Sequence, residues 1–123
     1  MESADAAHRE AWVICLCAEW CGVCREWRAA FERAAAEHAG VHFAWIDVED
    51  EAAAMGDVDI ETFPTLLIAD DGRPVFFGPV LPSAAQFSRL LGSLLQDRAA
   101  AATSVAPEAG PLFRRLTPLL RNS

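Results

Sequence analysis

The chain has no lysine and no tyrosine, and all ten of its cationic residues are arginine. A Schiff-base amine and the lysine of a phosphate-binding loop are both missing, so the reactions that need them are excluded. Positive charge is scarce as well. Ten arginines face 18 carboxylates, for a net charge of −8. That balance argues against nucleic acid, which is bound by concentrated cationic surface, and a solvated acidic surface is its plain consequence. Nor is there a long hydrophobic run. The longest, Ala11 to Ala18, is far shorter than the roughly twenty residues a bilayer span takes. Neither a basic region before it nor a small-residue cleavage site marks it as a signal peptide. The chain is expected to remain in the cytoplasm. There, four cysteines in 123 residues point to catalysis, metal binding or simple burial rather than to a disulfide framework.

What the chain does hold is apolar residue enough for a core, at 53%, and a length that suits one domain rather than two. Ser3 is placed to cap a short helix reaching about Glu10. Trp12 to Ala18, apolar on both faces, reads as a buried strand. From Cys21 to His38 the period changes. Trp27, Phe31, Ala34 or Ala35, and His38 share one helical face, with Arg25, Arg28, Glu32, Arg33 and Glu37 on the other and Gly40 where a C-cap is expected. Val41 to Val48 is a second apolar strand, followed by an acidic, alanine-rich stretch that forms a short helix. Thr65–Ala69 and Pro74–Phe77 flank Asp70-Asp71-Gly72-Arg73, which has hairpin-turn chemistry. Pro82 suits the first turn of a further helix with the stripe Phe87, Leu90, Leu91, Leu94 and Leu95. The order α-β-α-β-α-β-β-α implies an α/β fold. Its mixed four-stranded sheet has one parallel pair, one antiparallel hairpin, and helices on its flanks.

From Ala99 to Pro111 the composition turns to alanine, serine, threonine, glycine and proline, which reads as a linker. The domain is therefore expected to close at residue 98, with 99–123 as linker and short basic amphipathic tail. Leu112 to Leu120 repeats leucine and phenylalanine at helical spacing beside Arg114, Arg115 and Arg121. Pro118 is expected to break a helix there. Such a tail packs on its own domain, frays, or docks on a partner or a membrane surface.

The chemistry concentrates at Trp20-Cys21-Gly22-Val23-Cys24, between a buried strand and the start of a helix. Two cysteines three apart at a helix N-terminus can close a disulfide with little backbone movement. Unpaired N–H groups and the helix dipole favour an anion at the first of them. In such motifs the thiol pKa falls to roughly 7 or below. Cys21 can then attack a substrate disulfide, and Cys24 can attack the mixed disulfide to release the reduced product. A zinc or iron–sulfur site built from Cys15, Cys17, Cys21 and Cys24 fits the ligand count, but the four would have to converge from a strand and a helix, and no metal is expected. Cys15 and Cys17 alternate onto one face of their strand, either as inert packing or as auxiliary thiols exchanging with the Cys21–Cys24 pair. Phe63-Pro64-Thr65 opens the next strand. Its proline is either trans, merely starting the strand, or cis, turning the Phe63 backbone toward the cysteines. His8, His38 and His42 form no ligand or catalytic pattern.

With these residues in view, the chain resembles the thioredoxin family. Ala18-Glu19-Trp20-Cys21-Gly22-Val23-Cys24-Arg25 is similar to its active-site segment, and Asp47-Val48-Glu49-Asp50-Glu51 to the segment closing its central strand. Phe63-Pro64-Thr65-Leu66-Leu67, Asp71-Gly72 and Gly78 resemble its cis-proline strand, hairpin and glycine loop. The likeness runs in order from about Trp12 to Leu95, with too little chain before it for the family's first strand and first long helix. It implies a protein-disulfide oxidoreductase with a cis Pro64, and with Trp20, Gly22, Val23, Phe63, Pro64 and Gly78 lining the substrate groove. It also implies no cofactor of its own and electrons from a flavin-dependent reductase that uses NADPH. Three departures stand out. Val23 replaces the motif's proline, Cys15 takes the position of a buried aspartate that helps deprotonate the resolving cysteine, and Trp45 that of a buried lysine. The missing aspartate and lysine, with the short N-terminus and the tail, keep a second class open: a binding or chaperone module whose redox activity is secondary.

Overall fold

The computed structural model describes residues 11–18, 20–96 and 105–121. The helix expected from Ser3 to Glu10, with His8, and the first part of the expected linker lie outside the described residues. The elements run β1 (Ala11–Cys17), α1 (Gly22–Glu37), β2 (His42–Asp47), α2 (Ala52–Met55), β3 (Thr65–Asp70), β4 (Arg73–Pro79), α3 (Ala84–Gln96) and α4 (Ala109–Arg121). The strands form one mixed sheet in the order β2-β1-β3-β4. β1 pairs with β2 in parallel and with β3 antiparallel, and β3 pairs antiparallel with β4.

β1 is central and covered on both faces, which is why its sequence is apolar at every position rather than alternating. Val13, Cys15 and Cys17 face the layer made by α1 and α3, while Ile14 and Leu16 face the layer made by α2 and α4. In α1 the buried residues are Cys24, Trp27, Phe31 and Ala34, one stripe at helical spacing. Trp27 and Phe31 meet Phe87 of α3 at ring-centroid distances of 4.9 and 6.0 Å. Asp71 and Gly72, with φ of 55° and 85°, make the β3–β4 connection a two-residue turn of the mirror-image type that matches strand twist.

Local details differ from the sequence reading at element ends. α1 is capped by His38, whose N–H bonds to the Ala34 carbonyl at 3.0 Å; Gly40 lies beyond that cap. α3 starts after Pro82, with the Ser83 hydroxyl accepting the Gln86 N–H at 3.3 Å as its N-cap.

The largest correction concerns the tail. The expected break at Pro118 does not occur: α4 is one helix with Pro118 inside it. Nor is the segment set apart from the domain that was expected to close at residue 98. Ala109, Leu112, Phe113, Leu116 and Leu120 are buried against Ile14, Leu16, Leu67 and Met55. Burying each large side chain contributes about 1.5–3 kcal/mol, which together outweighs the ~3 kcal/mol cost of an interior proline. Pro118 itself is exposed, so its ring is turned toward water and not into the packed face. Arg115 ties the helix to α2 by donating from Nε to the Ala54 carbonyl at 2.7 Å and from Nη2 to the Met55 carbonyl at 3.0 Å. Gly56, with φ of 62°, follows α2; a Cβ there would sit 3.1 Å from that guanidinium.

Candidate functional site

The site forms where β1 ends. The Val48 N–H donates to the Cys17 carbonyl at 2.9 Å, and the Cys21 N–H to the Ala18 carbonyl at 3.0 Å, which turns the chain into α1. Cys21 occupies the N-cap in an extended conformation, so the unpaired N–H groups of the first helical turn gather beside it. Its thiol is free and half-buried. Trp20 stands next to it, 63% exposed. Its indole donates to Glu49 Oε2 at 2.8 Å and lies edge-on to Phe63 at 5.9 Å. The Phe63–Pro64 peptide bond is cis, and the Pro64 carbonyl accepts the Val80 N–H at 3.0 Å.

The structure therefore brings Trp20, Cys21 and Phe63 together at one edge of the molecule, with Gly22 and Val23 exposed beside them. A cleft of about 380 Å³ runs from Trp20 and Phe63 past Glu49, Asp59 and Glu61. Gly78 lines an adjoining cleft with Thr62 and Thr65. Glu49 is the residue that sequence reasoning passed over. Nothing in the pattern Asp47-Val48-Glu49-Asp50-Glu51 singles out which of its carboxylates holds the tryptophan.

The sulfur pairing differs from the expected one. Cys24 is bonded to Cys17, seven residues earlier, and not to Cys21. The reason lies in where α1 points its side chains. Cys24 belongs to the buried stripe, only 1% exposed, and faces the sheet where Cys17, 0% exposed, projects toward it. Their Cα atoms are 6.0 Å apart, inside the range a disulfide bridges without backbone movement. Cys15 lies deeper on the same strand face, its Sγ 3.7 Å from that of Cys17. Burial pushes the Cys15 thiol up to about 12, opposed slightly by the Trp27 indole and the Arg28 charge. The Trp27 Nε1–H is buried with no acceptor at close range, and the group it acts on is the Cys15 sulfur.

Trp45 sits opposite Cys15 in the β1–β2 register. It packs edge-on to Phe31 at 5.5 Å, and the Arg28 guanidinium lies 4.9 Å from its ring centre. A second cleft, of about 300 Å³, reaches Cys24 between Arg25, Arg28, Trp45 and Asp47. Among the described residues no three His, Cys, Asp or Glu side chains are grouped to hold a metal ion. No helix among them is long and apolar enough to cross a membrane.

The thioredoxin family model matches residues 3–78, more than half of the chain. The chain belongs to the thioredoxin family. Its sequence is 35% identical over 69 residues to "Putative thioredoxin 2" of Streptomyces coelicolor, covering 55% of this chain and 52% of that protein. The chain thus spans about half the length of this relative. Among solved structures, the germline-specific thioredoxin Deadhead of Drosophila melanogaster superposes with a TM-score of 0.63 at 18% identity, over 76% of this chain and 89% of that one. The Fasciola hepatica thioredoxin does so with 0.63 at 23%, over 75% and 88%. These likenesses show the thioredoxin fold, the four-stranded mixed sheet flanked by helices. Within it, a cysteine stands at the start of α1 next to Trp20, whose ring meets Phe63 of the cis Phe63–Pro64 bond.

Proposed function

We propose that this chain exchanges thiols with protein disulfides, Cys21 attacking and Cys24 resolving. The supporting observation is accessibility. Of the four cysteines, Cys21 alone is not buried, and it stands at the N-cap of α1 beside Trp20, whose ring meets Phe63. The N-terminus of the helix presents its unpaired N–H groups to charge forming on that sulfur. An extended substrate segment lies across Trp20, Gly22, Val23 and Phe63, and Pro64 and Gly78 shape the backbone it pairs with. Glu49, Asp59 and Glu61 favour basic residues beside the substrate cysteine. Attack breaks the substrate disulfide and joins one half to Cys21; Cys24 then expels that half as a thiol. A flavin-dependent reductase using NADPH is the proposed electron source, and the reducing cytoplasm the proposed compartment.

Covalent trapping tests this. Cys24→Ser should accumulate protein adducts, seen as dithiothreitol-sensitive bands on a non-reducing gel, and Cys21→Ser should give none. Equal trapping by both, or by neither, would refute the assignment, and trapping by neither would favour a binding module.

A further inference from the structure

In this structure the surface cysteine is the thiol and the buried pair is the disulfide. We infer that Cys17 is a third redox-active cysteine, which takes the disulfide from Cys21–Cys24 into the core as Cys17–Cys24 and returns Cys21 to the thiol state. The inference rests on the reading of Cys21 as the attacking thiol.

Each step makes one sulfur–sulfur bond and breaks one. The Cys21 thiolate attacks a substrate disulfide and displaces the first substrate thiolate. The Cys24 thiolate attacks the Cys21 sulfur and displaces the second, leaving Cys21–Cys24. The Cys17 thiolate then attacks the Cys24 sulfur, and Cys21 departs as a thiolate. The substrate gains two electrons and two protons, which Cys17 and Cys24 lose; Cys21 finishes as it began. In reverse, Cys21 attacks Cys24 and releases Cys17, which is how an outside dithiol reaches the buried bond.

Burial makes Cys21 necessary to that exchange. Cys17 and Cys24 are 0% and 1% exposed, so an external thiol finds almost no sulfur surface to attack, even though the cleft between Arg25 and Arg28 comes up to Cys24. Cys21 lies one helical turn from Cys24 and packs against the same cluster, with its other side open to solvent. The pocket also suits a departing Cys17 thiolate. Cys15 Sγ is 3.7 Å from Cys17 Sγ and donates toward it, and burial keeps that donor protonated.

Disulfide mapping tests the relay, because Glu19 and Glu26 separate the cysteines into the peptides Ala11–Glu19 and Trp20–Glu26. The wild-type chain is oxidised by one equivalent of insulin, quenched with N-ethylmaleimide in denaturant, and cleaved at glutamate without reduction. The two peptides should be joined, with maleimide on Cys21 and Cys15. An internal bond in Trp20–Glu26, with maleimide on Cys17, would overturn the relay. A kinetic arm uses Cys21→Ser oxidised to Cys17–Cys24. Dithiothreitol should reduce it at least tenfold more slowly than wild type under native conditions, and equal rates would overturn the proposal. Loss of trapping in Cys24→Ser refutes the surface reaction itself, whereas a Cys21–Cys24 bond in a chain that does trap refutes the relay alone.

Discussion

Leu116→Ala measures whether the C-terminal helix is part of the fold or a segment free to dock elsewhere. Leu116 is 0% exposed, on the face of α4 that meets Ile14, Leu16 and Leu67 of the central strands. Truncating it removes three carbons from the middle of a packed layer. The helix is held on both sides of that point by Leu112 and Leu120, and near it by the two Arg115 bonds to α2, so it cannot collapse freely into the gap. Buried leucine truncations cost ~2–5 kcal/mol, the higher values going with sites that relax least, and about 3 kcal/mol is expected here. For a chain of this size that corresponds to a drop in Tm on the order of 10 °C. Circular dichroism during urea and thermal unfolding reads both. Arg114→Ala, at an exposed position of the same helix, should stay within about 0.5 kcal/mol. Ending the chain at Arg98 should be far worse than either, because the α4 side of the sheet is laid open. A Leu116→Ala loss below about 1 kcal/mol, or a truncated chain that melts like the whole, would refute the packing and restore the docking tail.

Two further outcomes follow from Cys15. Its folded pKa of about 12 lies above the ordinary value of 9.0, so the native state holds the proton more tightly than the unfolded chain does. Its contribution is complete below about pH 9 and is lost as pH rises toward 12, to a ceiling of about 4 kcal/mol. Urea unfolding at pH 8 and pH 10.5 should show that loss in wild type and not in Cys15→Ala; equal slopes would refute it. Separately, Cys15→Asp puts a carboxylate where the family has one. It should quicken insulin turnover near pH 7 while costing a few kcal/mol of stability, and a folded variant no faster than wild type would show that deprotonation of Cys24 is not what slows this site.

The fold was legible where one pattern had one physical solution. The unbroken apolar run at β1 needs cover on both faces, and the stripe Cys24, Trp27, Phe31, Ala34 can serve only one side of a helix. The Asp71-Gly72 turn tolerates positive φ and little else does. The reading failed where two local rules compete. Pro118 breaks helices on average, yet the burial of Leu112, Leu116 and Leu120 around it overrides that preference. At the site, alternation along β1 put Cys15 and Cys17 on the face toward α1, and the helical stripe put Cys24 opposite. What no pattern carries is the distance between Cys17 and Cys24, which depends on the height at which α1 sits over the strand. Spacing alone therefore favoured the nearer partner, Cys21.

The departures from the family bear on one another once the sulfurs are placed. The positions that resemble its buried aspartate and lysine hold Cys15 and Trp45, neighbours across β1 and β2. Neither titrates near neutrality, since burial pushes Cys15 to about 12 and an indole does not titrate there. A carboxylate in that pocket helps by taking a proton from the resolving thiol. On the relay scheme a thiol at Cys17 instead removes the product of resolution, by bond transfer. On that scheme the proton of Cys24 leaves on the side of the cleft lined by Asp47 and Arg25. The two arrangements also end in different molecules. A surface disulfide leaves an oxidised chain with no attacking group, whereas a buried disulfide leaves Cys21 reactive with its resolving partner already engaged. On the relay scheme an oxidised chain that meets a second substrate disulfide forms a mixed disulfide it cannot resolve, and stays joined to that partner until reduced.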